Sequence, residues 1–124
     1  MAQPLSIIRD INGYPTTGEF QCLVFTNTAQ YFTLTANSVT TVTVPAGNYS
    51  RLMANIKAAV AAEDPLVWVL PAASPTLTLP SGTVAATLAE LNPGCKVVVP
   101  GQVLQFLTSQ TGVNVSITYY VLPS

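Results

Sequence analysis

The sequence contains no histidine and very little charge. Four basic and five acidic residues occur among its 124 residues, so charged side chains make up 7% of the chain, against about 25% in an average globular domain. General acid–base catalysis, metal chelation and phosphate binding all need ionisable groups that converge on one point. We therefore expect a protein that is not an enzyme and that binds no cofactor and no metal.

Motifs for catalysis or nucleic-acid binding are missing as well. The adjacent carboxylates Glu63 and Asp64 would point to opposite faces of a strand, so we interpret them as part of a solvated loop. The sequence has no dinucleotide motif, no phosphate-binding loop and no nucleophile elbow. Its net charge of −1 argues against a nucleic-acid partner, because such binding needs clustered lysine and arginine.

Long apolar runs are also absent, although apolar residues make up 49% of the chain. The longest candidate, Leu52–Leu70, is interrupted by Lys57 and by residues 63–65, whereas a membrane helix needs ~20 consecutive apolar residues. Residues 1–15 lack the basic start and the apolar stretch of a signal peptide. We expect no membrane partner and synthesis in the cytoplasm.

Only two cysteines are present, Cys22 and Cys95, and both lie in apolar runs typical of strands. We interpret them as two buried free thiols that act as small apolar side chains, with a disulfide between them as the alternative. Neither has a histidine to activate it, so the sequence predicts no catalytic thiol.

Strand patterns, by contrast, are abundant. Apolar and polar residues alternate over residues 113–121 (VNVSITYYV), which predicts that one face of this strand enters the core. Residues 103–107 and 65–71 are apolar on both faces, as is the run 19–25, which is typical of strands whose second face is covered. The face of 113–121 that we expect in the core carries Val113, Val115, Ile117, Tyr119 and Val121.

Shorter segments show the same alternation. Val39 is out of phase with the valines that follow it, which indicates a bulge or a late strand start. In each of these segments the apolar residues share one face: Val42 and Val44 in TTVTVP, Leu77 and Leu79 in TLTLP, and Cys95, Val97 and Val99 in CKVVVP.

Turn signals separate the strands and define the fold class. Ten prolines and seven glycines interrupt any long helix, and they include the turns at 45–47, 80–82 and 92–94. Short strands between dense turns predict an all-β protein, with a compact β-sandwich over residues 18–124. Trp68, in the middle of PLVWVLP, is expected in its core.

One segment, residues 51–64, fits either a helix or a strand. Its alanines favour a helix, and Leu52, Ile56 and Val60 recur at helical spacing, yet the same residues also alternate. We favour a strand, because the segment ends at Glu63–Asp64 and acidic residues destabilise the C-terminus of a helix.

Residues 1–17 differ in character from the rest. Pro4 and Pro15 resist regular structure, so we predict an N-terminal arm that packs on another surface, with a first edge strand and a loop as the alternative. Exposed tyrosines would serve either sugar stacking or protein contacts, and the candidates are Tyr14, Tyr31, Tyr49 and Tyr120. The candidate interface residues of the arm are Leu5, Ile7, Ile8, Arg9 and Tyr14.

Several of these segments follow one another along the chain in a characteristic order. A Thr/Val strand ends in Pro-Ala-Gly (38–47), a strand ends near Trp68, and a proline-rich crossing follows (SPTLTLPSG). Next come an Asn-Pro turn (90–94) and a last strand with a tyrosine pair. In this arrangement residues 38–122 resemble small virion proteins of tailed bacteriophages, which form jelly-roll or related β-sandwiches that decorate or cement capsids.

That resemblance implies a structural role on the capsid surface of the virion. The expected partner is the major capsid protein or another virion protein, and we expect a homo-oligomer, preferably a trimer. Low surface charge fits a subunit that is covered by its neighbours. The alternative is a carbohydrate- or receptor-binding β-sandwich of a phage fibre or a surface lectin.

Overall fold

The structure, a computed structural model, describes residues 3–4, 26, 28–82, 85 and 87–122. Over these residues it contains strands and no helix, so the all-β prediction is confirmed. Accordingly, this part of the chain includes no helix that is long and apolar enough to span a membrane. The strands are β1 Gln3–Pro4, β2 Ala29–Leu34, β3 Thr40–Thr43, β4 Leu52–Ala59, β5 Trp68–Leu70, β6 Glu90–Leu91, β7 Cys95–Val98, β8 Val103–Leu107 and β9 Val113–Val121.

The strands form two sheets. In sheet I, β9 pairs with β4, which pairs with β7; on the other side of β9 lie β2, antiparallel, and β1, parallel. Sheet II has the order β3-β8-β5-β6, and all its pairs are antiparallel. The two sheets pack face to face as a β-sandwich.

The strand pairs are nested along the chain. β2 pairs with β9 and β4 with β7 in sheet I, while β3 pairs with β8 and β5 with β6 in sheet II. This is the order of one long hairpin rolled into two sheets, which is the jelly-roll arrangement. The predicted jelly-roll β-sandwich is therefore confirmed.

The core between the sheets follows the alternation of β9. Val113, Val115, Ile117 and Tyr119 are fully buried and face sheet II, whereas Asn114 is exposed on the opposite face. The core also includes Leu34 and Leu52 from sheet I and, from the facing side, Val44, Val69, Leu104 and Phe106. The rings of Phe32 and Phe106 meet edge to face at 5.1 Å.

The ambiguous segment 51–64 forms β4 over Leu52–Ala59, so the strand interpretation is confirmed. Leu52 and Ala54 point inward and are buried, because they lie opposite the inward-facing residues of β9. Val39 precedes β3 and packs on the outer side of sheet II, which confirms the late strand start.

The two central strands of sheet II, β5 and β8, are buried on both of their faces. Trp68, Leu70 and Leu107 point away from sheet I and pack in a second cluster with Leu77 and Ala89. Leu77 and Ala89 belong to the connection between β5 and β6, so this connection covers the outer face of the sheet. The runs 65–71 and 103–107 are apolar on both faces for this reason, and Trp68 is buried as predicted.

One glutamine fixes that connection to the sheet. Gln105 lies on β8, and its side chain points to the outer face, where it is only 3% exposed. Its Oε1 accepts a hydrogen bond from the Leu77 amide at 2.8 Å. Its Nε2 donates to the carbonyls of Ala72 (2.8 Å) and Pro75 (2.9 Å). The amide group thus satisfies three backbone groups of the connection.

The apolar residues of CKVVVP share one face of β7, as predicted, but that face is the exposed one. In β7 the side chain that faces the core is Val98, because it lies opposite the buried Leu52, whereas Val97, Val99 and Cys95 are exposed. The prediction of a buried thiol is therefore wrong for Cys95, which is a free, exposed thiol; Cys22 lies outside the described residues.

The segment TLTLP is not a strand. It runs through the connection between β5 and β6, so Leu77 is buried against sheet II while Leu79 is exposed. Tyr120, a candidate exposed tyrosine, is buried although it lies on the outer face of sheet I; Tyr49 is partly buried and Tyr31 is exposed. Tyr14 lies outside the described residues.

The register of β9 can be tested by two alanine substitutions on neighbouring residues. Ile117→Ala should lower the free energy of unfolding by ~2–5 kcal/mol, because it leaves a cavity in a fully buried site. Thr118→Ala, on the outer face, should cost much less. Equal costs in chemical denaturation would contradict this register, since a shift by one residue exchanges the two faces.

The role of Gln105 can be tested with Gln105→Met, which keeps the size of the side chain but leaves three backbone groups without a partner. We expect a loss of ~1–3 kcal/mol, because the buried Leu77 amide would lose its partner, while the carbonyls of Ala72 and Pro75 are only partly buried. Gln110→Met is the matched control. Gln110 also bonds backbone groups, at Asp64 and Leu66, but in a solvent-exposed place where water can replace it. Similar losses in chemical denaturation would contradict the assigned role.

Candidate interaction surface

The predicted arm is described only at its start. Leu5, Ile7, Ile8, Arg9 and Tyr14 lie outside the described residues, so their interface role stays a prediction. β1 pairs in parallel with Tyr120–Val121, and the Thr26 hydroxyl donates to the carbonyl of Tyr119 at 2.9 Å. Both attachments lie at the C-terminal end of β9, so the first described residues pair with the chain's own sheet.

Different side-chain interactions link the two sheets along the two sides of the sandwich. On the β2–β3 side, the Tyr119 hydroxyl donates to Oε1 of Gln30 at 2.6 Å, and Nε2 of Gln30 donates to the Thr43 carbonyl at 2.8 Å. Gln30 belongs to sheet I and Thr43 to sheet II, so one neutral amide links the sheets. Burial of Tyr119 raises the pKa of its phenol from 10.0 to about 12, because the charged form would lose its hydration.

On the β6–β7 side, an ion pair spans the gap between the sheets. Lys96 Nζ lies 2.7 Å from Glu90 Oε1, and the register places both side chains on the inward-facing sides of their sheets. Both side chains remain about half exposed, at 43% and 55%, so solvent screens the pair and its contribution to stability is small.

Neutral polar side chains also hold the loops at one end of the sandwich. Asn92 accepts a hydrogen bond from the Val67 amide (2.9 Å) and donates one to the Pro65 carbonyl (2.8 Å). The Thr108 hydroxyl donates to the Leu66 carbonyl at 2.7 Å. Glutamine, asparagine and threonine therefore supply local order that charged residues provide in many other proteins.

Two groups of apolar side chains are exposed on different parts of the surface. The first, which we name the leucine patch, consists of Leu66 (48% exposed) and Leu79 (39%) beside a depression lined by Trp68 and Leu91. It lies over the outer side of sheet II.

The second group, the valine edge, consists of Cys95, Val97 (59%) and Val99 (48%) on the outward side of β7 and the residue after it. Tyr31 (71%) and Leu88 (76%) are exposed elsewhere. Contiguous exposed apolar side chains mark candidate contact surfaces.

Converging reactive groups are not found in the described parts of the chain. Among those residues no three of His, Cys, Asp and Glu come together as metal ligands would. Glu63 and Asp64 are exposed after β4, as the loop interpretation predicts. Cys95 Sγ donates a hydrogen bond to the amide oxygen of Asn55 at 3.6 Å.

No protein-family model, no curated protein and no solved structure matches the chain.

Tyr119 predicts a specific dependence of stability on alkaline pH. The phenol has its ordinary pKa of 10.0 in the unfolded chain and about 12 in the folded one, so the folded state favours the neutral form. The neutral phenol contributes fully to the free energy of unfolding below pH ~10. This contribution is lost as the pH rises to ~12, by at most ~2.7 kcal/mol.

Tyr119→Phe should therefore be less stable than the wild type at neutral pH, because it loses the bond to Gln30, but its stability should fall less between pH 10 and 12. Urea denaturation at several pH values measures both effects. Tyr31→Phe, at an exposed position, is the control and should keep the wild-type fall of stability with pH. An unchanged fall of stability between pH 10 and 12 in Tyr119→Phe would contradict the role assigned to Tyr119.

Proposed function

We propose that this chain is a structural subunit of a tailed-bacteriophage virion, a decoration or cement protein that bridges and stabilises subunits of the capsid shell. The fold supports this role, because jelly rolls are a recurrent architecture of viral capsid domains. The resemblance of residues 38–122 to small virion proteins points the same way. A fold by itself does not determine function, so the proposal depends on the surface.

The observation that carries the proposal is a surface with exposed apolar groups and few charges. A soluble domain that stands alone normally carries about 25–35% charged residues on its surface. Here Leu66 and Leu79 are exposed on one side, and Val97 and Val99 on the other. Such a surface is stable in solution when neighbouring subunits cover it.

A bridging protein needs at least two contact surfaces, and the two exposed groups meet this requirement. The leucine patch belongs to the outer side of sheet II, and the valine edge to the outward side of sheet I. One surface is suited to contacts with the major capsid protein or another virion protein. The other is suited to contacts between copies of this chain, which we propose form a trimer.

The proposed mechanism is mechanical. Packaged genome presses outward on the shell, and bridges between neighbouring shell subunits oppose their separation. A stable protein contact buries about 1,200–2,000 Å². Many bridges on one particle act together, so a modest affinity at each contact becomes a large total affinity through avidity. This role requires no nucleic acid, membrane or cofactor.

A second candidate is a carbohydrate- or receptor-binding module, and Tyr31 is the observation that favours it. Its ring is 71% exposed on β2, opposite Ser116, and near the hydrogen bond between Thr33 and Asn114. Exposed rings beside polar groups suit stacking on sugars. The burial of Trp68 weighs against this role, and binding to a glycan array that Tyr31→Ala abolishes would favour it over a cement role.

Particle binding tests the proposed function directly. Stripped virus-like particles should bind the wild-type protein stoichiometrically, and the variant with Val97→Ser and Val99→Ser should bind at least tenfold more weakly. Both valines are exposed, so the melting temperature should change little. The matched control is Thr41→Ser with Thr43→Ser, which also trims methyl groups from outward-facing strand positions, on the opposite sheet.

Sedimentation supplies the independent measurement. We expect an oligomer, with the mass of a trimer, for the wild-type protein in the absence of particles. A sharp monomer at micromolar concentrations together with no particle binding would contradict both the oligomer and the cement role.

A further inference from the structure

On the β6–β7 side the two sheets separate and leave an open cleft between their inner faces. Its walls are Ile56 and Val98 from sheet I and Val69 and Leu104 from sheet II. A second depression lies beyond Pro93, along Ala58 and Val67. Val69, Val98 and Leu104 are themselves buried, so of the four wall side chains only Ile56 is partly exposed.

The residues of β4 show the same opening. Leu52 and Ala54 are buried, but Ile56 and Ala58, which point in the same direction, are only partly buried. Ile56 lies opposite Ile117, so its side chain faces the interior and not the outer surface. Accessible apolar surface between the sheets is unfavourable in water, and filling it with an apolar group would be favourable.

The polar groups at the mouth of the cleft already have partners. Glu90 and Lys96 form an ion pair with each other at 2.7 Å. The side-chain amide of Gln102 accepts a hydrogen bond from the Val99 amide at 3.0 Å and donates one to the Pro71 carbonyl at 3.4 Å. A charged or strongly polar ligand would have to break these contacts, whereas an apolar one would not.

The size of the cleft limits what it can hold. Its volume is about 190 Å³. An engineered apolar cavity of ~150 Å³ takes up benzene, whereas pockets for drug-sized ligands hold ~300–1,000 Å³. The space therefore suits a molecule of about one ring.

From these observations we propose that the cleft between the sheets is a binding site for a small, uncharged apolar molecule of about one ring in size. The walls supply apolar contact from both sheets. The Glu90–Lys96 pair lies at the mouth and stays intact when the site is filled. This site is separate from the leucine patch but adjoins the valine edge, because Val97 also lines the cleft. It does not depend on the proposed virion role.

Methyl NMR with benzene as the probe tests the proposal. Benzene should shift the methyl signals of Ile56, Val69, Val98 and Leu104 in a saturable way, while those of Leu34 and Val44, which do not line the cleft, stay in place. Benzoate, which has the same ring and a negative charge, should bind at least tenfold more weakly. Equal binding of benzoate would overturn the assignment to an uncharged ligand.

Ile56→Phe should fill the cleft and weaken benzene binding at least tenfold, and Val98→Ile, a smaller change in the same wall, serves if Ile56→Phe does not fold. Val42→Leu is the control, because Val42 packs against the same core on β3 and does not line the cleft. The proposal would be overturned if the benzene-induced shifts spread over the whole core or did not saturate. It would also be overturned if a folded cleft-filling variant bound benzene as well as the wild type.

Discussion

Gln105 holds the connection between β5 and β6 against the outer face of sheet II. Because this connection covers the outer face, β5 and β8 can carry apolar side chains on both faces. A sheet with one uncovered apolar face would expose Trp68 and Leu107 to water. The described residues of the covering segment form no strand ladder of their own, so their backbone groups need other partners. The amide of Gln105 provides three of them while it is itself buried.

Neutral hydrogen bonds recur wherever two parts of the sandwich meet. Gln30 links the sheets on one side, and Asn92 and Thr108 hold the loops next to β5. The Glu90–Lys96 ion pair on the other side is exposed and weak. A chain with few charges thus keeps its order through amides and hydroxyls, and the surface remains available for contact with apolar neighbours.

The edge of sheet I at β7 is protected against strand addition, which bears on how this protein would meet its partners. Pro93 has no amide hydrogen, Lys96 places a charge on the strand, and Gln102 bonds both backbone groups of Val99. Natural β-proteins use such features to avoid pairing edge to edge. Side-chain contacts at the valine edge and the leucine patch therefore suit this protein better than a partner strand that pairs with β7 and extends the sheet.

The sequence determined the all-β class, the strand at 52–59 and the buried face of β9, because alternation and turn residues are local signals. It did not determine which face of β7 meets the core. A pattern of period two shows which residues share a face, but the pairing of Val98 with Leu52 decides which face is inside. The sequence placed Leu77 in a proline-rich crossing, but it did not show that this crossing packs on sheet II, since Gln105 makes that contact across 28 residues. The cleft and the ion pair at its mouth likewise arise only where two sheets approach, so the tertiary structure alone decided them.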